Sequence, residues 1–278
     1  MKRLLSIELQ KIWLNKASRV LILTYFILLS LIALIASIKF DLGIFNVHIA
    51  EMGIFNFPLI WHFNTYISAW FKFFLAIVIV SIMANEYNYG TLKQNLIDGM
   101  SKWEFIQSKF LTAVFFAVCS TVFVFIMSLV LGYCFSTDNE MNIVFSELEY
   151  LLAFFVKLVG FFSLCLFLGI LVKRSAFAIG FILVWYIIEN IIKGYLSFSL
   201  FPEGNTAANI EKLLPLESIS NLIVEPFSRV SVVKDIGTQM GMNNLKDYSI
   251  HYSSILIVLG WTLIFMLLSY KLLKNRDL

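Results

Sequence analysis

A chain of 278 residues that is 60% hydrophobic and only 14% charged, with a mean hydropathy of +0.85, carries more apolar surface than a soluble core uses. The apolar residues are grouped in runs, so the composition excludes a soluble globular domain and points to a polytopic membrane protein. A net charge of +3 gives nucleic-acid binding no support.

Residues 1–19 read as an amphipathic interfacial helix. Leu5, Leu9, Ile12 and Trp13 share one helical face, with Arg3, Ser6, Gln10 and Lys11 mostly elsewhere. The segment is too short and too charged to span, and it carries no signal-peptide cleavage site. Spans are expected at residues 20–38, 61–84, 111–135, 150–172, 175–194 and 252–270. Trp61, Tyr66 and Trp70, after Phe57-Pro58, suit a membrane–water boundary. An acidic loop with Asp138, Glu140 and Glu147 precedes the fourth span, and Lys173-Arg174 makes a tight turn into the fifth. Residues 197–250 contain no apolar run able to cross. A helical stretch at 210–223, broken at Pro215, predicts a small extracytoplasmic cap there. The expected fold is an all-α integral membrane protein of six transmembrane helices, with the N-terminal interfacial helix and this cap between spans five and six.

Charge orients the bundle. Thirteen Lys and Arg residues fall on the side of the termini, the 85–110 loop and the Lys173-Arg174 turn, against five on the other side (Lys39, Lys212, Arg229, Lys234 and Lys246). Both termini and that loop are therefore expected in the cytoplasm of a multi-pass cell-membrane protein.

The 85–110 loop is longer than an ordinary connection and carries helix punctuation. Thr91 precedes an apolar stripe of Leu92, Leu96 and Ile97, and Gly99 follows as a helix stop. Ser101 then opens Ser-Lys-Trp-Glu, a capping box with Glu104, launching a helix that carries Trp103, Ile106 and Phe110. A short amphipathic helix joined rigidly to the third span has the form of a lever.

No catalytic residues are expected. The sequence contains no Gly-Lys dipeptide, hence no phosphate-cradling G-x-x-x-x-G-K-[ST] loop, and no G-x-S-x-G, H-E-x-x-H or D-D-x-x-D pattern. Cys119, Cys134 and Cys165 lie inside apolar runs and read as small buried hydrophobes. His48, His62 and His251 share no ligand spacing, so no metal site is expected. The charges inside the spans are Lys72, Lys157, Glu189 and Lys193, all at mid-membrane or in the outer half. They allow two readings. One is a net-positive lining of a substrate route that favours an anionic head group. The other is lysines snorkelling outward beside one structural Glu189–Lys193 pair at i, i+4.

The order Glu86, Gly90-Thr91-Leu92, Ser101, Lys109 resembles the first cytoplasmic loop of type-2 ABC transporter permeases. The basic amphipathic KRLLSIELQKIW segment, the six spans, Leu214-Pro215 and the Asn-Arg-Asp-Leu tail resemble that family too. The resemblance implies an exporter permease subunit that pairs with a second copy or paralogue and docks separate ATPase subunits. Mg-ATP would be bound by those partners, leaving no cofactor in this chain. It further implies docking through Glu86, Tyr87, Tyr89, Gly90, Thr91, Leu92, Leu96, Ile97 and Met100, an apolar stripe set into a groove of the partner. ATP-driven closure would then move the helix and, through the Ser101 junction, the third span. The alternative for the loop is a lipid-surface helix. The alternative for the protein is a non-transporting scaffold or sensor that recruits a cytoplasmic partner. A secondary transporter is disfavoured by the lack of inverted repeats.

Overall fold

The computed structural model describes residues 2–37, 40–41, 46–47, 53–137, 140–201, 206–229 and 247–276. His48, Asp138 and much of the expected cap lie outside these. The described residues are almost wholly helical. A two-residue antiparallel ladder, β1 (Phe40–Asp41) with β2 (Asn46–Val47), is the exception among them.

The helices are α1 (Lys2–Leu14), α2 (Lys16–Ser37), α3 (Leu59–Trp70), α4 (Lys72–Asn88), α5 (Thr91–Ile97) and α6 (Lys102–Phe135). They are followed by α7 (Met141–Val144), α8 (Glu149–Val172), α9 (Ser175–Tyr195), α10 (Thr206–Glu211), α11 (Pro215–Ser220) and α12 (Tyr252–Lys274). Among the described residues, five helical stretches are long and apolar enough to cross a membrane: Lys16–Ile35, Lys102–Phe135, Met141–Val172, Ser175–Leu200 and Tyr252–Lys274.

The stretch expected as one straight span over 61–84 is instead a pair, α3 and α4, bent by 44°. No proline or glycine marks the break. The Phe71 N–H bonds to Ser68 O and the Phe74 N–H to Phe71 O, so three-residue turns replace the four-residue ladder on both sides. Upstream, the Thr65 hydroxyl turns back onto the carbonyls of Trp61 and His62 at 2.7 and 3.0 Å, a contact that bends helices.

Helix α8 is the axis of the bundle. It is buried along nearly its whole length and packs against α3, α4, α6, α9 and α12. Between helices in lipid the gain comes from close packing rather than from removing apolar surface from water. Gly160 supplies it: a Cβ there would sit 2.7 Å from Val258 of α12. The axis ends at Lys173, in the left-handed region at φ 62°, and Ser175 starts α9. By contrast α9 buries only Ala178, Ile182 and Glu189. Its remaining faces carry exposed Phe, Ile, Leu and Tyr side chains, as a lipid-facing helix requires.

Candidate functional site: a buried ion cluster beneath the 85–110 loop

The loop forms as its punctuation predicts. Gly90 holds φ 67° just before α5, and Gly99 holds φ 98° just after it. The Ser101 side chain accepts from the Glu104 N–H, and the Glu104 carboxylate accepts from the Ser101 N–H at 2.9 Å. This reciprocal cap starts α6, which continues without interruption to Phe135.

Beneath the loop lies a cluster of charges drawn from three helices. Lys109 of α6 places its Nζ 2.5 Å from Glu86 of α4 and 2.6 Å from Glu8 of α1. Lys11 of α1 adds a second cation, 3.2 Å from Glu86 and 3.7 Å from Glu8. Thr91 Oγ1 donates to the other Glu86 oxygen at 2.6 Å. The Lys109, Glu86 and Glu8 side chains are 1%, 4% and 7% exposed, whereas Lys11 is 42% exposed. Two carboxylates face two ammonium groups, so the cluster as a whole is neutral, with Lys109 at its buried centre and Lys11 at its solvent edge.

This cluster divides the residues expected to meet a partner. Glu86 and Leu92 are buried and face the bundle, a correction to their reading as partner contacts. The physical reason is the cluster itself: Glu86 reaches inward to Lys109, and α5 turns Leu92 into the same core. Tyr87, Thr91, Leu96 and Met100 are half-buried. Gly90 is exposed at the turn, and Tyr89 and Ile97 stand 75% exposed. Tyr87 is also held from behind. Arg276 donates to its hydroxyl at 3.2 Å and to the carbonyls of Ile170 and Leu171, closing the C-terminal end of α8. Lys102 donates to the carbonyls of Lys274 and Arg276. The start of the chain, the 85–110 loop, the end of α8 and the end of α12 thus gather at one end of the bundle.

Sequence reasoning missed Glu8. Its signal is a carboxylate on the apolar face of α1, one turn from both Leu5 and Ile12, where only a buried cation makes an acid tolerable.

At mid-bundle, Lys72, Lys157 and Glu189 line one cavity of about 460 Å³. The expected Glu189–Lys193 pair does not form. Pro215 starts α11, whose first N–H groups lack intrahelical partners, and the Glu189 carboxylate accepts from Leu216 N and Glu217 N at 3.0 Å each and from Trp185 Nε1 at 2.6 Å. Lys193 pairs with Glu217 instead, at 2.8 Å. Lys157 donates to Ser220 O, the last carbonyl of α11, at 2.8 Å. An acid and a base thereby grip the two ends of one short helix, in the sense its dipole favours.

A third cluster lies where α3 meets the segment after α11. Arg229 donates to both Glu147 oxygens, at 2.8 and 3.0 Å, and these bonds hold the guanidinium above its ordinary range. Its Nη1 also lies 3.1 Å from His62 Nδ1, while His62 Nε2 lies 2.7 Å from Val224 O. A carbonyl can only accept and a guanidinium can only donate, so His62 is neutral with its proton on Nε2. The ring stacks on Tyr150 at 4.2 Å, and the Tyr150 hydroxyl donates to Tyr248 O at 2.7 Å. Arg229→Gln should loosen residues 224–229, seen as faster hydrogen exchange there, at a cost of about 1–2 kcal/mol for a lost charge-assisted pair. Unchanged exchange would show that packing alone holds the segment.

His251 pairs with Asp247 at 3.0 Å, and among the described residues no group of three or more His, Cys, Asp or Glu could hold a metal ion.

These features define a helical membrane protein with an ion-locked loop at one end. Residues 31–278 match the family described as "Protein of unknown function (DUF2705)", and the chain belongs to that family. A 62-residue stretch is 36% identical to the uncharacterized protein YhcI of Bacillus subtilis (strain 168). That stretch covers 22% of this chain and 20% of the relative, so the match spans about a fifth of the relative's length. Neither description names an activity.

Proposed function

We propose that the chain is the transmembrane permease subunit of an ATP-driven ABC-type exporter, working with a separate ATPase that binds Mg-ATP. In this reading the bent α3–α4 pair is the second of six spans, residues 197–250 cap the outer face, and both termini are cytoplasmic. A second copy or paralogue completes the pathway. The chain itself performs no catalysis.

The observation that carries the reading is the Glu8–Lys109–Glu86 cluster. It binds α1, α4 and α6 into one block directly behind a short helix, and Ile97 at the end of that helix and Tyr89 in the turn before it are left exposed for a partner. A push on α5 therefore cannot be absorbed by a slack loop; it passes into α6 and across the bundle. The excess of Lys and Arg at the same end supports its placement in the cytoplasm.

The test is co-purification with a candidate ABC ATPase, comparing intact protein with Tyr89→Asp, Ile97→Asp. Both side chains are exposed, so the variant is expected to unfold like the intact protein yet lose the ATPase, with affinity falling by about tenfold or more for two interface anchors. Equal binding would move docking elsewhere and favour the scaffold or sensor reading. ATPase bound without stimulation by the intact protein would do the same.

A further inference from the structure

The cavity between the α3–α4 break, α8, α9 and α11 has a volume of about 460 Å³, within the range of small-molecule sites. Two lysines stand in its wall. Lys157 is buried and uses one of its three N–H donors on Ser220 O. Lys72 is half-buried at the start of α4, where its Nζ lies 4.6 Å from the Phe161 ring centroid and 5.8 Å from that of Phe73. Among the described residues, neither lysine has a carboxylate within ion-pair distance.

The acids of the same cavity are engaged elsewhere. Glu189 accepts from three N–H groups, and Glu217 is paired with Lys193. The structure thus holds two lysines in the lining of one cavity without a direct ion-pair partner among the described residues, while the two carboxylates that also line it are engaged by other donors. Such an arrangement is costly in a low-dielectric setting and marks a ligand pathway when it occurs inside a membrane bundle. Much of the remaining wall is apolar and aromatic, with Trp70, Phe161 and Ile182. An inorganic anion would leave that surface unused, and a neutral lipid would leave the ammonium groups unpaired.

We propose that this cavity binds an amphipathic anion, with a phosphate or carboxylate between Lys72 and Lys157 and a hydrocarbon portion along Trp70, Phe161 and Ile182. The inference deepens the permease reading and rests on it only in making the anion the cargo.

The test uses the full chain in a neutral detergent, titrated with dodecyl phosphate and followed by native mass spectrometry. Saturable binding is expected, and it should weaken by about tenfold or more in Lys72→Met, the loss of one charge-assisted contact. Lys72→Arg should keep most of the affinity. Lys72 makes no hydrogen bond among the described residues, so its methionine variant is expected to keep the fold, which thermal unfolding checks. Equal affinity of intact protein and Lys72→Met would overturn the proposal, as would equal affinity for dodecyltrimethylammonium. Inorganic phosphate is expected not to compete; full competition by it would reduce the site to a simple anion site and overturn the amphiphile. Repeating the titration in nanodiscs assigns the source. Suppression by phosphatidylglycerol but not by phosphatidylcholine identifies a bilayer lipid as occupant, and no suppression identifies a non-lipid amphiphile. Binding without any coupled ATPase would sink the permease reading and leave this site standing; a coupled ATPase without binding would do the reverse.

Discussion

Lys109→Met should cost the fold about 3–5 kcal/mol, the range for removing one partner of a buried ion pair. The reason lies in what remains. Glu8 and Glu86 both point at the Lys109 ammonium, at 2.6 and 2.5 Å, and both side chains are buried. Methionine fills much the same volume, so the loss is electrostatic rather than a cavity. Among the described residues Lys11 is left as the one cation paired with these acids, and it is 42% exposed. Two carboxylates in one dry site repel each other, and α1 is the element that can leave. Denaturant unfolding of the full chain in detergent should show the destabilisation, and hydrogen exchange should show α1 opening first. Adding Glu8→Gln and Glu86→Gln to Lys109→Met should recover most of the loss, since no buried carboxylate is then stranded and Lys11 can turn to solvent. A single Lys109→Met variant as stable as the intact protein would mean that packing of α1, not the cluster, holds the loop, and the lever would lose its rigid base.

Glu189→Ala should cost about 2–4 kcal/mol, because a buried donor left without an acceptor costs about 1–3 kcal/mol and three donors converge on this carboxylate. They are the N–H groups of Leu216 and Glu217 and the indole N–H of Trp185. The effect should be local as well as large: amides of residues 215–220 should exchange faster, because α11 loses its cap while Lys157 still grips its other end. Glu189→Gln keeps one acceptor oxygen and should cost about half as much. Were Glu189→Ala to leave residues 215–220 fully protected, the carboxylate would not be the cap, and a role in the cavity would have to be reconsidered.

Much of the molecule follows from local rules that can be read along the chain. The capping box at Ser101 and Glu104 forms as read, because its partners are three residues apart and need no tertiary context. Gly99 ends α5, and Pro215 starts α11, for the same reason: each sets the backbone within its own turn. The long apolar runs mark helices able to cross a membrane because length and hydropathy alone set that ability.

Other features depend on which helices become neighbours. The break at Phe71 carries no proline or glycine and arises from turn-by-turn hydrogen bonding that no spacing announces. Glu189 and Lys193 sit at an ideal helical spacing, yet each finds a better partner in α11, because free N–H groups at a helix start attract a carboxylate more strongly than an ammonium four residues along. Leu92 and Ile97 read alike as parts of one stripe, but the inward pull of Glu86 on Lys109 buries the first and leaves the second outside. Glu8 gains its meaning only beside α4 and α6. The sequence by itself determined a membrane-spanning helical chain, its helix punctuation and a loop built as a short helix. Only the tertiary structure decided which charges meet and which side chains stay exposed, since in lipid a buried charge takes its partner from whatever the packed helices bring within reach.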